Sequence, residues 1–193
     1  MIIEFHIYEK DAYYGKTLID AAKYGDEKLL DNLISQGADI NIQKNVSLNI
    51  WGRKSYMTPL MIISSYSDKL YDFGHKNNKT KIYNSMARKL IKAGADLNRQ
   101  SQGGMTALMF CSLHRNSYIR DLLIKAGADW LKFNWQGKSF LHWVNRVENK
   151  NNLKKLVNKF PDKWQEYKDN YLEAWTKWKA DKKFNNELDK YNL

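Results

Sequence analysis

Cys111 and the histidines His6, His75, His114 and His142 are the side chains of this chain best suited to nucleophilic, general-base or metal chemistry. Their spacing supports none of it. The histidines are scattered without the pairing of zinc ligands, and a single cysteine excludes both an intrachain disulfide and a cysteine metal cluster. Cys111 falls among small and apolar residues, where it reads as a buried small hydrophobe. No phosphate-binding glycine loop, no G-x-S-x-G and no H-E-x-x-H occurs. His114-Arg115-Asn116 is not the catalytic loop of a kinase. The expectation is a non-catalytic protein without cofactor or metal.

The chain has 193 residues and 43% hydrophobic side chains, enough for a core in one domain with room for an appended element. No apolar run reaches the length of a membrane span. The opening MIIEFHIYEKDAYYG carries acids too early and too short an apolar stretch for a secretory signal. The expected setting is therefore cytoplasmic, and the acceptor-like Asn45-Val46-Ser47 and Asn78-Lys79-Thr80 are not expected to meet the glycosylation machinery. No membrane partner is expected, and the chain reads as a monomer.

The net charge of +11 raises the question of nucleic acid. It is unevenly spread: residues 1–43 carry −4, residues 161–193 are neutral, and residues 44–160 hold +15. Yet only six of the 32 basic residues are arginine, the better reader of bases and phosphates. The accompanying richness in Asn, Ile and Tyr is what an AT-rich genome imposes on any protein. Nucleic acid is thus the second reading, and an acidic protein partner the first.

Whatever these side chains bind, a repeated element must position them. LIKAGAD occurs at residues 90–96 and again at 123–129, 33 residues on. The triplet Gly-Ala-Asp stands at 37–39, 94–96 and 127–129. Each is preceded by an opener: Thr17-Leu18, Thr58-Pro59-Leu60, Thr106-Ala107-Leu108, and then Ser139-Phe140-Leu141-His142. The Thr or Ser can cap a helix, and proline is tolerated in a first turn. A turn such as Tyr24-Gly25-Asp26 leads to a second helix with leucine pairs, which ends at the glycine of the triplet. A unit this short cannot bury its own apolar face and must stack on copies of itself.

Openers, the Ala21-Ala22 pair, the G-D/N turn, L-L and the ending G-A-D-x-N (Asp39-Ile40-Asn41, Asp96-Leu97-Asn98) together resemble the ankyrin repeat. The resemblance covers residues 16 to about 160 as four repeats, 16–48, 57–104, 105–137 and 138–160. Residues 1–15 form a lead-in. The implied fold is an all-α solenoid of helix-turn-helix units with extended fingers. The implied function is recognition of a protein surface by the fingers and first helices, with His142 in the place of the family's structural histidine. The fourth repeat lacks the terminal triplet, as an end unit would.

Two insertions break the period. About eight extra residues fall in the first finger, NIQKNVSLNIWGRKSY, which brings Trp51, Arg53, Lys54 and Tyr56 without an acid. About 15 separate the helices of the second repeat, with Tyr71 and Phe73 among them. The third finger, DWLKFNWQGK, carries Trp130, which takes a core position, and Phe133 and Trp135 at what should be its tip. Trp51, Arg53, Lys54, Tyr56, Tyr71, Phe73, Phe133 and Trp135 are the candidate partner-binding residues. In residues 161–193, Trp164, Tyr167, Tyr171, Trp175 and Trp178 make one stripe of an amphipathic helix, expected to cap the fourth repeat.

Overall fold

The computed structural model describes residues 17–47, 54–66, 78–147 and 150–190. The candidates Trp51, Arg53, Tyr71 and Phe73, like the lead-in, lie outside them. The chain is mostly helical. Helix α1 spans Leu18–Tyr24, α2 Glu27–Ser35, α3 Pro59–Ser64, α4 Asn78–Lys92, α5 Ala107–Leu113, α6 Ser117–Lys125, α7 Phe140–Val147, α8 Lys150–Lys159 and α9 Pro161–Lys190.

The starts follow from short polar side chains. Thr58 Oγ1 accepts the Met61 N–H at 3.2 Å, with Pro59 in the first turn of α3, and Thr106 Oγ1 accepts the Met109 N–H at 3.3 Å. Asp26 and Asn116 do the same for α2 and α6, accepting from Leu29 at 3.0 Å and Ile119 at 3.2 Å. Each cap satisfies a donor the helix cannot, an effect of about 1 kcal/mol. Gly37, Gly94 and Gly127 follow α2, α4 and α6 in the left-handed conformation, at φ 76°, 89° and 95°.

Helices α1, α3, α5 and α7 pack on one another in succession, and so do α2, α4 and α6. Two layers result, with Leu18, Leu60, Leu108, Phe140 and Leu141 buried in the first and Leu30, Leu90 and Leu123 in the second. The second layer is also tied by charge. Lys89 of α4 pairs with Glu27 and Asp31 of α2, and Lys159 of α8 with Asp121 of α6. Hydrogen bonds from Lys89 and Ser85 hold the Glu27 carboxyl below its ordinary pKa.

The all-α expectation needs one amendment. Strands β1 (Lys44–Ser47) and β2 (Lys54–Met57) pair antiparallel, Lys44 opposite Met57 and Ser47 opposite Lys54. The first finger, where the surplus falls, thus contains a pair of strands. The second surplus is spent partly in helix: α4 has 15 residues where α2 and α6 have nine, and all three end two residues before their glycine. Tyr66, after α3, donates its hydroxyl to the Lys23 carbonyl, stacks on Tyr83 at 4.0 Å and accepts from Asn116 Nδ2 at 3.2 Å.

One turn keeps an unfavourable residue. Gly25 joins α1 to α2 at φ 72°, but the equivalent position between α5 and α6 is Arg115 at φ 60°, and it is exposed. A side chain there strains the backbone. Arg115→Gly should therefore raise stability by about 0.5 to 1 kcal/mol, after the extra freedom glycine gives the unfolded chain. Urea unfolding checks this; an unchanged or lower midpoint would show that the guanidinium makes good the strain.

Candidate protein-interaction surface

After each Gly-Ala-Asp the chain makes a local turn. The carboxylates of Asp39, Asp96 and Asp129 accept the N–H two residues on, from Asn41 at 2.9 Å, Asn98 at 2.9 Å and Leu131 at 2.7 Å. These acids are spent on their own backbone.

Between fingers run two ladders. Asn41 Oδ1 accepts the Asp96 N–H at 2.8 Å, and Asn98 Oδ1 accepts the Asp129 N–H at 2.8 Å. Two residues further, Gln43 Nε2 donates to the Gln100 carbonyl at 2.9 Å, and Gln100 Nε2 to the Phe133 carbonyl at 2.9 Å. Each finger therefore fixes the next. In the third finger the two ladder positions hold Leu131 and Phe133, which offer no amide. The sequence carries the pattern, since D-I-N-I-Q and D-L-N-R-Q are followed by D-W-L-K-F, but the bonds of the two glutamines to the next finger emerge only in the fold.

The third finger is clamped on both sides. Trp135 N–H donates to the Gly103 carbonyl at 3.2 Å, and a Cβ on Gly104 would stand 2.9 Å from Asn134 Cα and Trp135 N. Only glycine permits that approach. Asn134, buried, closes the turn by accepting from the Gln136 N–H at 3.0 Å and the Lys138 N–H at 2.9 Å. On the far side, a Cβ on Gly137 would come within 2.7 Å of the Trp175 ring and 2.8 Å of Trp178.

This geometry separates the aromatic candidates. Trp135 is 62% exposed at the turn and Tyr56 is 48% exposed on β2. Phe133 is not at the tip, contrary to expectation. It is 7% exposed, with its ring 5.8, 5.4 and 6.1 Å from those of Tyr171, Trp175 and Trp178. Trp130 is 3% exposed and meets Phe140 edge-on at 5.1 Å, a core residue as its position implied. The α9 stripe thus lies on the third finger and on Ser139, whose hydroxyl is 3.1 Å from that of Tyr167. Burial of Tyr167 there pushes its pKa up to about 12. Lys54 belongs to β2, opposite Ser47. His142 is exposed, its ring edge-on to Trp143 at 5.4 Å.

Beyond the root aspartates Asp39, Asp96 and Asp129, charge on the fingers has one sign. Residues 40–58, 97–106 and 130–139 contain Lys44, Arg53, Lys54, Arg99, Lys132 and Lys138, and no Asp or Glu. Arg99 Nε donates to Gln43 Oε1 at 3.2 Å, which adds a rung between the first two fingers. Among the described residues no three His, Cys, Asp or Glu side chains are grouped to hold a metal ion, and no helix is long and apolar enough to cross a membrane.

What the arrangement offers is a hydrogen-bonded edge with basic and aromatic side chains and no assembled catalytic group among those described. A family model described as the ankyrin repeat matches residues 14–45, the stretch that contains α1, α2 and the root of the first finger. Ankyrin repeats generally serve as modules of protein–protein interaction, and it is to one such repeat that this part of the chain is similar.

Proposed function

We propose that the chain is an ankyrin solenoid of four repeats that acts without catalysis, by binding an acidic protein surface along its finger edge. The observation that carries this reading is the coincidence of charge with order: the ladders of Asn41, Asn98, Gln43 and Gln100 join three fingers that carry no acid beyond their root residues Asp39, Asp96 and Asp129. A pre-ordered edge loses little entropy on binding. Trp135 and Tyr56 are its exposed aromatic anchors, of the residue types that dominate binding energies. Basic neighbours would mainly speed the approach of an acidic partner. A non-catalytic binder of this kind fits the role of an inhibitor, an immunity or anti-defence protein, or an effector.

Affinity purification from the native host should supply the partner. Against it, Trp135→Ala is expected to weaken binding at least about tenfold, equivalent to 1.4 kcal/mol, with thermal stability nearly unchanged. Arg99→Glu together with Lys132→Glu should slow association and flatten its dependence on salt. The competing reading is nucleic acid, since the same charges would attract phosphates. It predicts binding of the pure protein to an oligonucleotide that weakens steeply with salt; absence of binding at low salt removes it.

A further inference from the structure

We propose that α4, α6 and α8 carry a second binding surface, a lysine face that holds the phosphate backbone of duplex DNA without reading its sequence. It shares no residue with the finger edge. Helix α4 contains five basic residues and no acid, α8 four and no acid, and α6 two with Asp121 as its one acid. A genome that favours lysine does not produce this pattern by itself. The 30 residues of α9 contain seven lysines and also seven acids, so what sets the outer helices apart is that acids are missing from them.

Two cross-links set the three helices side by side. Arg88 Nη1 of α4 donates to the Tyr118 hydroxyl of α6 at 2.8 Å, and Lys159 Nζ of α8 donates to Asp121 Oδ2 of α6 at 2.5 Å. The acids nearby are already matched, Glu27 and Asp31 by Lys89 and Asp121 by Lys159. Lys81, Arg88, Lys92, Lys125, Lys154 and Lys155 are all exposed, and among the described residues none of the six pairs with an acid. Lys81, Arg88 and Lys92 follow steps of seven and four, which is one stripe of α4. Arg88 with Lys92, and Lys155 with Lys159, are like charges four residues apart, an arrangement that costs a helix stability. A bound polyanion relieves that repulsion.

The chemistry of the face selects its occupant. An ammonium is a point charge that holds a phosphate oxygen but lacks the planar fork that reads bases, so contact is with the backbone and indifferent to sequence. A protein or membrane surface would ask for apolar anchors, and a single strand for aromatic platforms under its bases. Of the exposed large hydrophobic side chains described, only Tyr118 lies on these helices, and the Arg88 guanidinium already sits 5.9 Å from its ring centre. A double helix, with one phosphate charge per about 1.7 Å of its axis, matches a field of this kind, and α4 alone runs about 22 Å along it at 1.5 Å per residue. Recognition of RNA adds contacts to a 2′-hydroxyl that both donates and accepts, and an ammonium has no acceptor to offer.

Fluorescence anisotropy with a labelled DNA duplex of about two helical turns tests the surface. Wild type should bind at about 50 mM salt, lose at least about a hundredfold in affinity by about 200 mM, and treat duplexes of unrelated sequence alike. Lys92→Glu, Lys125→Glu, Lys154→Glu and Lys155→Glu together should weaken binding at least about tenfold and flatten the salt slope by about one unit per lysine lost. Arg99→Glu with Lys132→Glu, on the fingers, should leave it unchanged. In wild type, bound duplex should shield Lys92, Lys125, Lys154 and Lys155 from amine acetylation while Lys44 and Lys132 stay reactive, a readout that does not depend on how any variant folds. The proposal is overturned if wild type binds no duplex at low salt, if the finger substitutions and not the outer four abolish binding, or if protection falls on the finger lysines. Tighter binding to duplex RNA or to anionic vesicles overturns it as well. A protein partner held at the finger edge should still bind the outer-face variant, so each surface can fail without the other.

Discussion

Phe133→Ala is expected to destabilise the protein by about 3 kcal/mol, the low end for a buried phenylalanine, and to loosen its C-terminal end first. Phe133 is the residue around which Tyr171, Trp175 and Trp178 gather. Removing it deletes ring contacts on three partners and leaves a gap between the finger and α9. The low end applies because the partner rings are themselves only half-buried, so the site can partly collapse. Tryptophan emission should shift to the red at urea concentrations where far-ultraviolet circular dichroism still reports intact helices. Trp135→Ala, two residues away, should change stability by under about 0.5 kcal/mol, as surface substitutions do. A reversal of the two effects would place Trp135 in the core and contradict the register of the finger.

That contrast shows how much the sequence disclosed. Helix starts at Thr58 and Thr106 and helix ends at Gly94 and Gly127 were legible because capping is a local matter, fixed by residues three or four apart. The burial of Trp130 was legible because it shares a repeat position with apolar residues. Phe133 was not. Its neighbours in sequence, Lys132, Asn134 and Trp135, read as a finger tip, and what buries it arrives about 40 residues later on another element. The period of the α9 stripe was plain and its expected seat was the fourth repeat; its rings lie on Phe133 and Gly137 of the third finger and on Ser139, where the stretch read as the fourth repeat opens. The clue was the loss of Asn and Gln from the third finger, which makes sense only once those amides are known to bridge repeats. In the first finger, the surplus residues announced an insertion without announcing that it would pair as strands, since strand pairing depends on register across a turn.

Acidification offers the other large effect. His114, just past the end of α5, is 8% exposed, and desolvation by burial lowers its pKa to about 4 from an ordinary 6.5. Burial disfavours the charged imidazolium, so the folded protein keeps the ring neutral across most of the acid range. The unfolded chain, whose histidine is hydrated, takes up a proton near pH 6.5. Between these values the unfolded state binds more protons, and stability must fall as pH falls. Full traversal corresponds to about 3 kcal/mol, of which roughly 2.5 should be lost between pH 7 and pH 4.5. The carboxylate of Glu27 acts in a different window. Its pKa is depressed by Lys89 and Ser85, so its contribution is present above its ordinary value of 4.5 and disappears only as pH falls further. Urea unfolding from pH 7 to pH 4.5 therefore isolates the histidine. Wild type should lose stability steadily, and His114→Gln, of similar size but without a titrating ring, should show a shallow profile. An equal slope in the two proteins would assign the acid sensitivity to another group.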